Sequence, residues 1–168
     1  MNVRNSKSVH GVNLVSAFAL AVVLLATSGL GAQEDRWESQ GGRLEGTWRV
    51  QVSVKDCQTG AVQRSFPALL AFAKGGTLTQ ATAGQPPPLF TNGIGVWRHT
   101  GGRTYTAVIE AFAFNPAGAW ITTHRFTRTI ELDGGADEFT DTIKLEILDT
   151  SGNLIAPGCG SSTARRFE

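Results

Sequence analysis

The chain has 168 residues, with 15 Lys and Arg against 14 Asp and Glu for a formal charge of +1, and it is 41% hydrophobic and 17% charged. That balance excludes a charge-rich disordered polymer and a multi-pass membrane protein. It also leaves no long-range field to draw in nucleic acid or an acidic membrane surface. Twenty glycines beside a single Met and a single Tyr suit short strands joined by tight turns better than long packed helices.

Residues 1–32 read as a secretory signal. Arg4 and Lys7 stand in a start free of acidic residues, and residues 14–26 (LVSAFALAVVLLA) form an apolar run broken only by Ser16. That run is well short of the ~20 residues a membrane-crossing helix needs. Small residues follow at Thr27, Ser28, Gly29, Gly31 and Ala32, and cleavage is expected after Ala32. The expected destination is secreted or periplasmic, with no stable membrane insertion once the signal is removed. Residues 33–43 (QEDRWESQGGR) are polar and suit a flexible lead-in, and the folded domain is expected over residues 44–168.

The two cysteines, Cys57 and Cys159, are expected to form a disulfide in an exporting compartment. Their loop of 102 sequence steps is worth about 4 to 5 kcal/mol in the chain-entropy model. Neither has a second Cys or a His at ligand spacing, so no metal site is expected.

In chain order, GTWRVQVSV (46–54) alternates Trp48, Val50, Val52 and Val54 with polar residues, the period of a half-buried strand. KDCQTG makes a turn, and a second strand follows over residues 64–73, irregular at Pro67. Gly pairs then punctuate the chain at Gly75-Gly76, Gly101-Gly102 and Gly134-Gly135, separating strands at 77–82, 94–99, 103–114, 119–132 and 137–148. Paired glycines accept the positive φ of hairpin turns. Residues 83–92 (AGQPPPLFTN) carry three consecutive prolines that cannot join a ladder, so the segment serves either as a lid or as a stiff crossover. The spacing predicts an antiparallel meander of eight or nine strands. A meander leaves two exposed edges unless its ends pair. The C-terminal residues 162–168 (STARRFE) can run beside β-strand 46–54, which brings Cys159 to Cys57.

Gly46-Thr47-Trp48 at the start of the first strand resembles the Gly-x-Trp signature of lipocalin-type (calycin) barrels, in which the Trp plugs the closed end. The late Arg of ARRFE, Arg165 or Arg166, is similar to the Arg that packs over that Trp in the family. A fainter similarity, through GIGVWRHTGGRTYTA (93–107), is to dirigent and allene oxide cyclase barrels. Both resemblances imply an all-β fold, a closed antiparallel up-and-down barrel of about eight strands.

Small barrels either fill with side chains or hold one small ligand. One face of strand 119–132 carries Trp120, Thr122, His124, Phe126, Arg128, Ile130 and Leu132, and the expected inner face of its partner carries Phe139, Asp141, Ile143, Leu145 and Ile147. Pairing across the Asp133–Asp137 turn sets Arg128 and Asp141 one diagonal step apart, a geometry for an ion pair. Tyr105 shares a face with Ala107, Ile109, Ala111 and Ala113, small residues that leave room; the opposite face, with Phe112 and Phe114, is the alternative core side, and it would turn Glu110 inward. The candidate ligand contacts are therefore Arg128, His124, Asp141, Tyr105, Trp120 and Phe126. The expected partner is a small apolar molecule. No nucleophile elbow, phosphate loop, paired Cys-x-x-Cys or His-rich metal motif appears in residues 33–168, and no cofactor is expected. Two other classes stay open: a barrel isomerase or cyclase pairing His124 with Asp141 or Glu110, and a structural or adhesive exported domain.

Overall fold

The computed structural model describes residues 43–167. The expected signal over 1–32 and all but the last residue of the expected lead-in lie outside the described residues. Eight strands, β1 (Gly46–Lys55), β2 (Val62–Phe72), β3 (Thr77–Thr82), β4 (Gly93–Gly101), β5 (Thr104–Phe114), β6 (Trp120–Leu132), β7 (Glu138–Leu148) and β8 (Leu154–Arg166), follow in chain order around one closed antiparallel barrel. Closure is made by β1 against β8, in register from Trp48↔Arg166 to Lys55↔Cys159. The last strand is thus much longer than the short C-terminal segment the sequence suggested.

Alternation decides which way each side chain points. Along the β6–β7 ladder, the pairs Phe126↔Leu145, Arg128↔Ile143, Ile130↔Asp141 and Leu132↔Phe139 face in, while Arg125↔Glu146, Thr127↔Lys144 and Glu131↔Thr140 face out. Two prolines inside strands sit where the ladder to one neighbour ends. Pro67 lies just before the β2–β3 ladder, which starts at Ala68↔Thr82, and Pro157 lies beyond the reach of β1, so neither interrupts a doubly paired stretch. The wall is uneven. β3 meets β4 only from Thr77↔Val96 to Gln80↔Gly93, whereas β5 and β6 pair from Thr104↔Glu131 to Phe114↔Trp120.

One end is plugged. Leu44, Trp48, Phe72, Tyr105 and Phe139 pack there with no more than 3% exposure. The Trp48 and Phe139 rings stand 4.9 Å apart, and the Trp48 indole N–H donates to the Leu44 carbonyl at 3.0 Å. Arg166 covers the plug, its guanidinium 4.3 Å from the Trp48 ring centre. It donates to the carbonyls of Glu45 (2.6 Å), Arg43 (2.6 Å) and Ala136 (2.8 and 3.0 Å). Gly46 is required beneath it: its φ is +120°, and a Cβ there would come within 2.7 Å of Arg166 Nη1.

The glycine-pair turns behave differently from one another. Gly75 and Gly76 both take positive φ, as expected of a hairpin turn. In the Asp133–Asp137 turn neither glycine does, and Ala136 takes the left-handed conformation instead, at φ 64°. The Asp133 carboxylate shapes that turn by accepting from the backbone N–H of Gly135, Asp137 and Glu138, and Arg166 grips the Ala136 carbonyl. These bonds offset the conformational cost.

At the opposite end the disulfide Cys57–Cys159 joins the chain just past β1 to β8, with the Cα atoms 5.3 Å apart. The proline-rich segment, with a 3-10 turn at Pro87–Leu89, spans the rim from β2 to β6. A Cβ on Gly84 would overlap the Phe66 ring, so only glycine lets the chain lie that close. Arg64 donates to the Gly84 carbonyl at 3.1 Å, and Thr91 N–H donates to the Phe112 carbonyl at 3.0 Å. The crossover therefore also covers part of the mouth.

Replacing Arg166 by Ala strips three carbonyls of their donor and uncovers Trp48. It is expected to lower stability by about 2 to 3 kcal/mol in urea titrations followed by tryptophan fluorescence.

Candidate functional site

Among the described residues the barrel interior holds a buried ion pair. Arg128 on β6 and Asp141 on β7 are 1% and 0% exposed at their side chains, with Nη1 to Oδ2 at 2.6 Å. Their diagonal placement follows from Ile130↔Asp141 and Arg128↔Ile143 in the ladder, as the strand pairing predicted. Ser162 on β8, which sits opposite Asp141, donates its hydroxyl to Asp141 Oδ1 at 2.7 Å. Sequence reasoning missed Ser162. Its signal was the alternation of STARRFE, which places Ser162, Ala164 and Arg166 on one face.

Burial pushes the Asp141 carboxyl up from its ordinary range, opposed by the Arg128 charge and the Ser162 hydroxyl. It pushes the Arg128 guanidinium down, opposed by Asp141. Among the described residues the Arg128 Nε–H has no hydrogen-bond partner, and neither has Nδ1 of His124 or Oε1 of Gln80 on β3. Gln80 was also passed over, although TLTQAT alternates so that Leu78 and Gln80 share the inward face.

The remaining candidates separate. His124 faces in and is 8% exposed, with Phe90 of the proline-rich segment edge-on at 5.2 Å and Phe126 at 6.4 Å. Burial lowers its pKa below 6.5. Tyr105 faces in too, but at the plugged end, where its ring stands 6.0 Å from Trp97 and burial raises its phenol against the influence of Arg43. Trp120 does not face in. A register shift between Ala113 and Phe114 pairs Trp120 with Phe114 and Thr122 with Ala113, so an extra residue, Ile121, turns Trp120 to the outer surface. There it is 42% exposed and packs on Phe112 at 5.7 Å. The strict alternation read from the sequence fails at this bulge.

On β5 the alanine face is the inner one. Ala107, Ala111 and Ala113 are buried, Phe112 is exposed, and Glu110 points outward to Arg125 at 2.7 Å. Both Asp141 oxygens are engaged by Arg128 and Ser162. An acid/base pair of His124 with Asp141 or Glu110 is therefore not formed.

Between the ionic group and the mouth, Ala111, Ala113 and His124 are buried, but several larger inward apolar residues are not fully enclosed. Val54, Phe66, Phe126, Leu145 and Ile147 keep intermediate exposure, in contrast to the plugged end. Gly158 and Gly160 on β8 add backbone-only wall there. A separate concavity of about 710 Å³ lies on the outer surface, lined by outward side chains that include Arg49, Leu69, Thr140 and Arg165. None of the six candidate residues borders it.

No family model matches the chain, and no curated protein or solved structure matches it either.

Asp141→Asn leaves Arg128 buried without a counter-charge and is expected to cost about 3 to 5 kcal/mol, whereas Arg128→Met with Asp141→Leu should fall close to the parent protein. Chemical denaturation of the two variants measures the contrast. His124 also gives a pH dependence. Because the folded pKa lies below that of the unfolded chain, the unfolded state takes up the proton first. The stability contributed by neutral His124 is full above pH 6.5 and is lost as pH falls through the folded value. His124→Gln should flatten that limb of a stability-against-pH curve.

Proposed function

We propose that this protein is an exported, lipocalin-like barrel that holds a small, mostly apolar molecule in the open half of its interior. The observation that carries the reading is the contrast between the two halves. The plugged end is closed to solvent, whereas the inward apolar residues near the mouth stay partly accessible above a buried polar floor. Arg166 lying over Trp48, with Gly46 making room for its guanidinium, supports the lipocalin resemblance.

Export is favoured by the signal-like N-terminus and by a disulfide that an oxidising compartment would preserve. Among the described residues no helix is long and apolar enough to cross a membrane. A barrel that crosses a membrane turns an apolar band outward. Here the outward positions of β6 and β7 carry Arg125, Thr127, Glu131, Thr140, Lys144 and Glu146.

A second reading, an adhesive exported domain, rests on the exposed apolar side chains of Ile94, Val96, Phe112 and Trp120 on the outer face of β4, β5 and β6. The two are separated by filling the interior. Ala111 faces in beside His124, and Ala111→Trp is expected to weaken binding of a fluorescent apolar probe by at least about tenfold while leaving the circular dichroism spectrum unchanged. A probe bound equally well by both proteins would place it on the outer patch and overturn the interior reading.

A further inference from the structure

The ionic group at the floor of the cup sets what charge a bound molecule can carry. Arg128 and Asp141 neutralise each other at 2.6 Å, and both side chains are shut from solvent. Their inward neighbours in the strand ladders include Val52, Tyr105, Ala107, Ile130, Ile143 and Ser162, none of which is ionised at neutral pH. An ionised carboxylate brought to this floor would leave two negative charges against one guanidinium. An ammonium group would leave two positive charges against one carboxylate. In either case one buried charge is uncompensated, and that is a severe penalty.

The unused hydrogen-bonding capacity points the same way. Arg128 keeps a free Nε–H, a donor, and Gln80 keeps a free Oε1, an acceptor. The two stand on strands β6 and β3, on different sides of the interior. His124, placed between floor and mouth beneath Phe90, keeps a free Nδ1. A hydroxyl both accepts and donates, a carbonyl accepts, and neither brings a charge. Buried polar atoms left without partners are costly, so a neutral oxygen that supplies one is bound more tightly than a bare hydrocarbon.

We infer that the cup selects neutral apolar molecules bearing a hydroxyl or carbonyl group, and rejects ionised acids and amines of the same carbon skeleton. This rests on the interior-binding reading above and narrows its ligand class.

The test uses the purified protein and three probes of one chain length, 1-octanol, octanoate and octylammonium, titrated at pH 8 by calorimetry. The expected result is that octanol binds at least about tenfold more tightly than either ion. Octanoate or octylammonium binding as tightly as octanol would overturn the inference while leaving the interior reading intact. Binding of none of the three would overturn the interior reading and the inference with it. Asp141→Asn supplies an independent check wherever it folds. With Arg128 unopposed, octanoate should gain at least about tenfold over octanol relative to the parent protein, and an unchanged ratio would show that the pair does not set the preference.

Discussion

Everything in this molecule follows from the seam between β1 and β8. A sheet of eight strands with free edges would expose two rows of unpaired backbone groups and would have no inside. Joining the first strand to the last gives every strand two neighbours and turns the alternation of side chains into an interior and an exterior. Two devices hold the seam at its ends. Arg166 on β8 stacks over Trp48 on β1 and ties down the carbonyls around it, and the disulfide joins the chain past β1 to β8 at the other end. Each acts where a ladder would otherwise fray.

Closure also explains why an Arg and an Asp can sit inside so small a core. The ladder delivers them to adjacent strands one diagonal step apart, and the neighbouring strand adds Ser162 to satisfy the second carboxylate oxygen. A pair of this kind does little for stability compared with a well-packed apolar substitute. What it does supply is a polar layer separating a packed aromatic plug from a more open apolar half.

Much of this was legible in the residues. Alternation in GTWRVQVSV and AWITTHRFTRTIEL located strands and faces, the glycine pairs located turns, and the two cysteines marked which ends must meet. The diagonal pairing of Arg128 with Asp141 needed only a hairpin register. Three features were not legible, each for a local reason. Trp120 lies outside because a bulge at Ile121 resets the alternation, and nothing in AWIT marks a bulge. The left-handed residue of the third turn is Ala136, because the Asp133 carboxylate shapes the turn from within and Arg166, remote in sequence, holds the Ala136 carbonyl. The sequence left the proline-rich segment as either a lid or a crossover; it covers part of the mouth because Gly84 can lie against Phe66 and Phe90 can reach His124, contacts that join three stretches of chain.

The unevenness of the wall has its own meaning for exchange with solvent. β3 is the shortest strand, it shares only brief ladders with β2 and β4, and the proline-rich segment leaves from its end. Few ladder hydrogen bonds hold that side of the wall. The backbone amides of β3 and the facing stretch of β4 consequently exchange with solvent ahead of those in β5 and β6, whose shared ladder runs unbroken from Thr104↔Glu131 to Ala113↔Thr122.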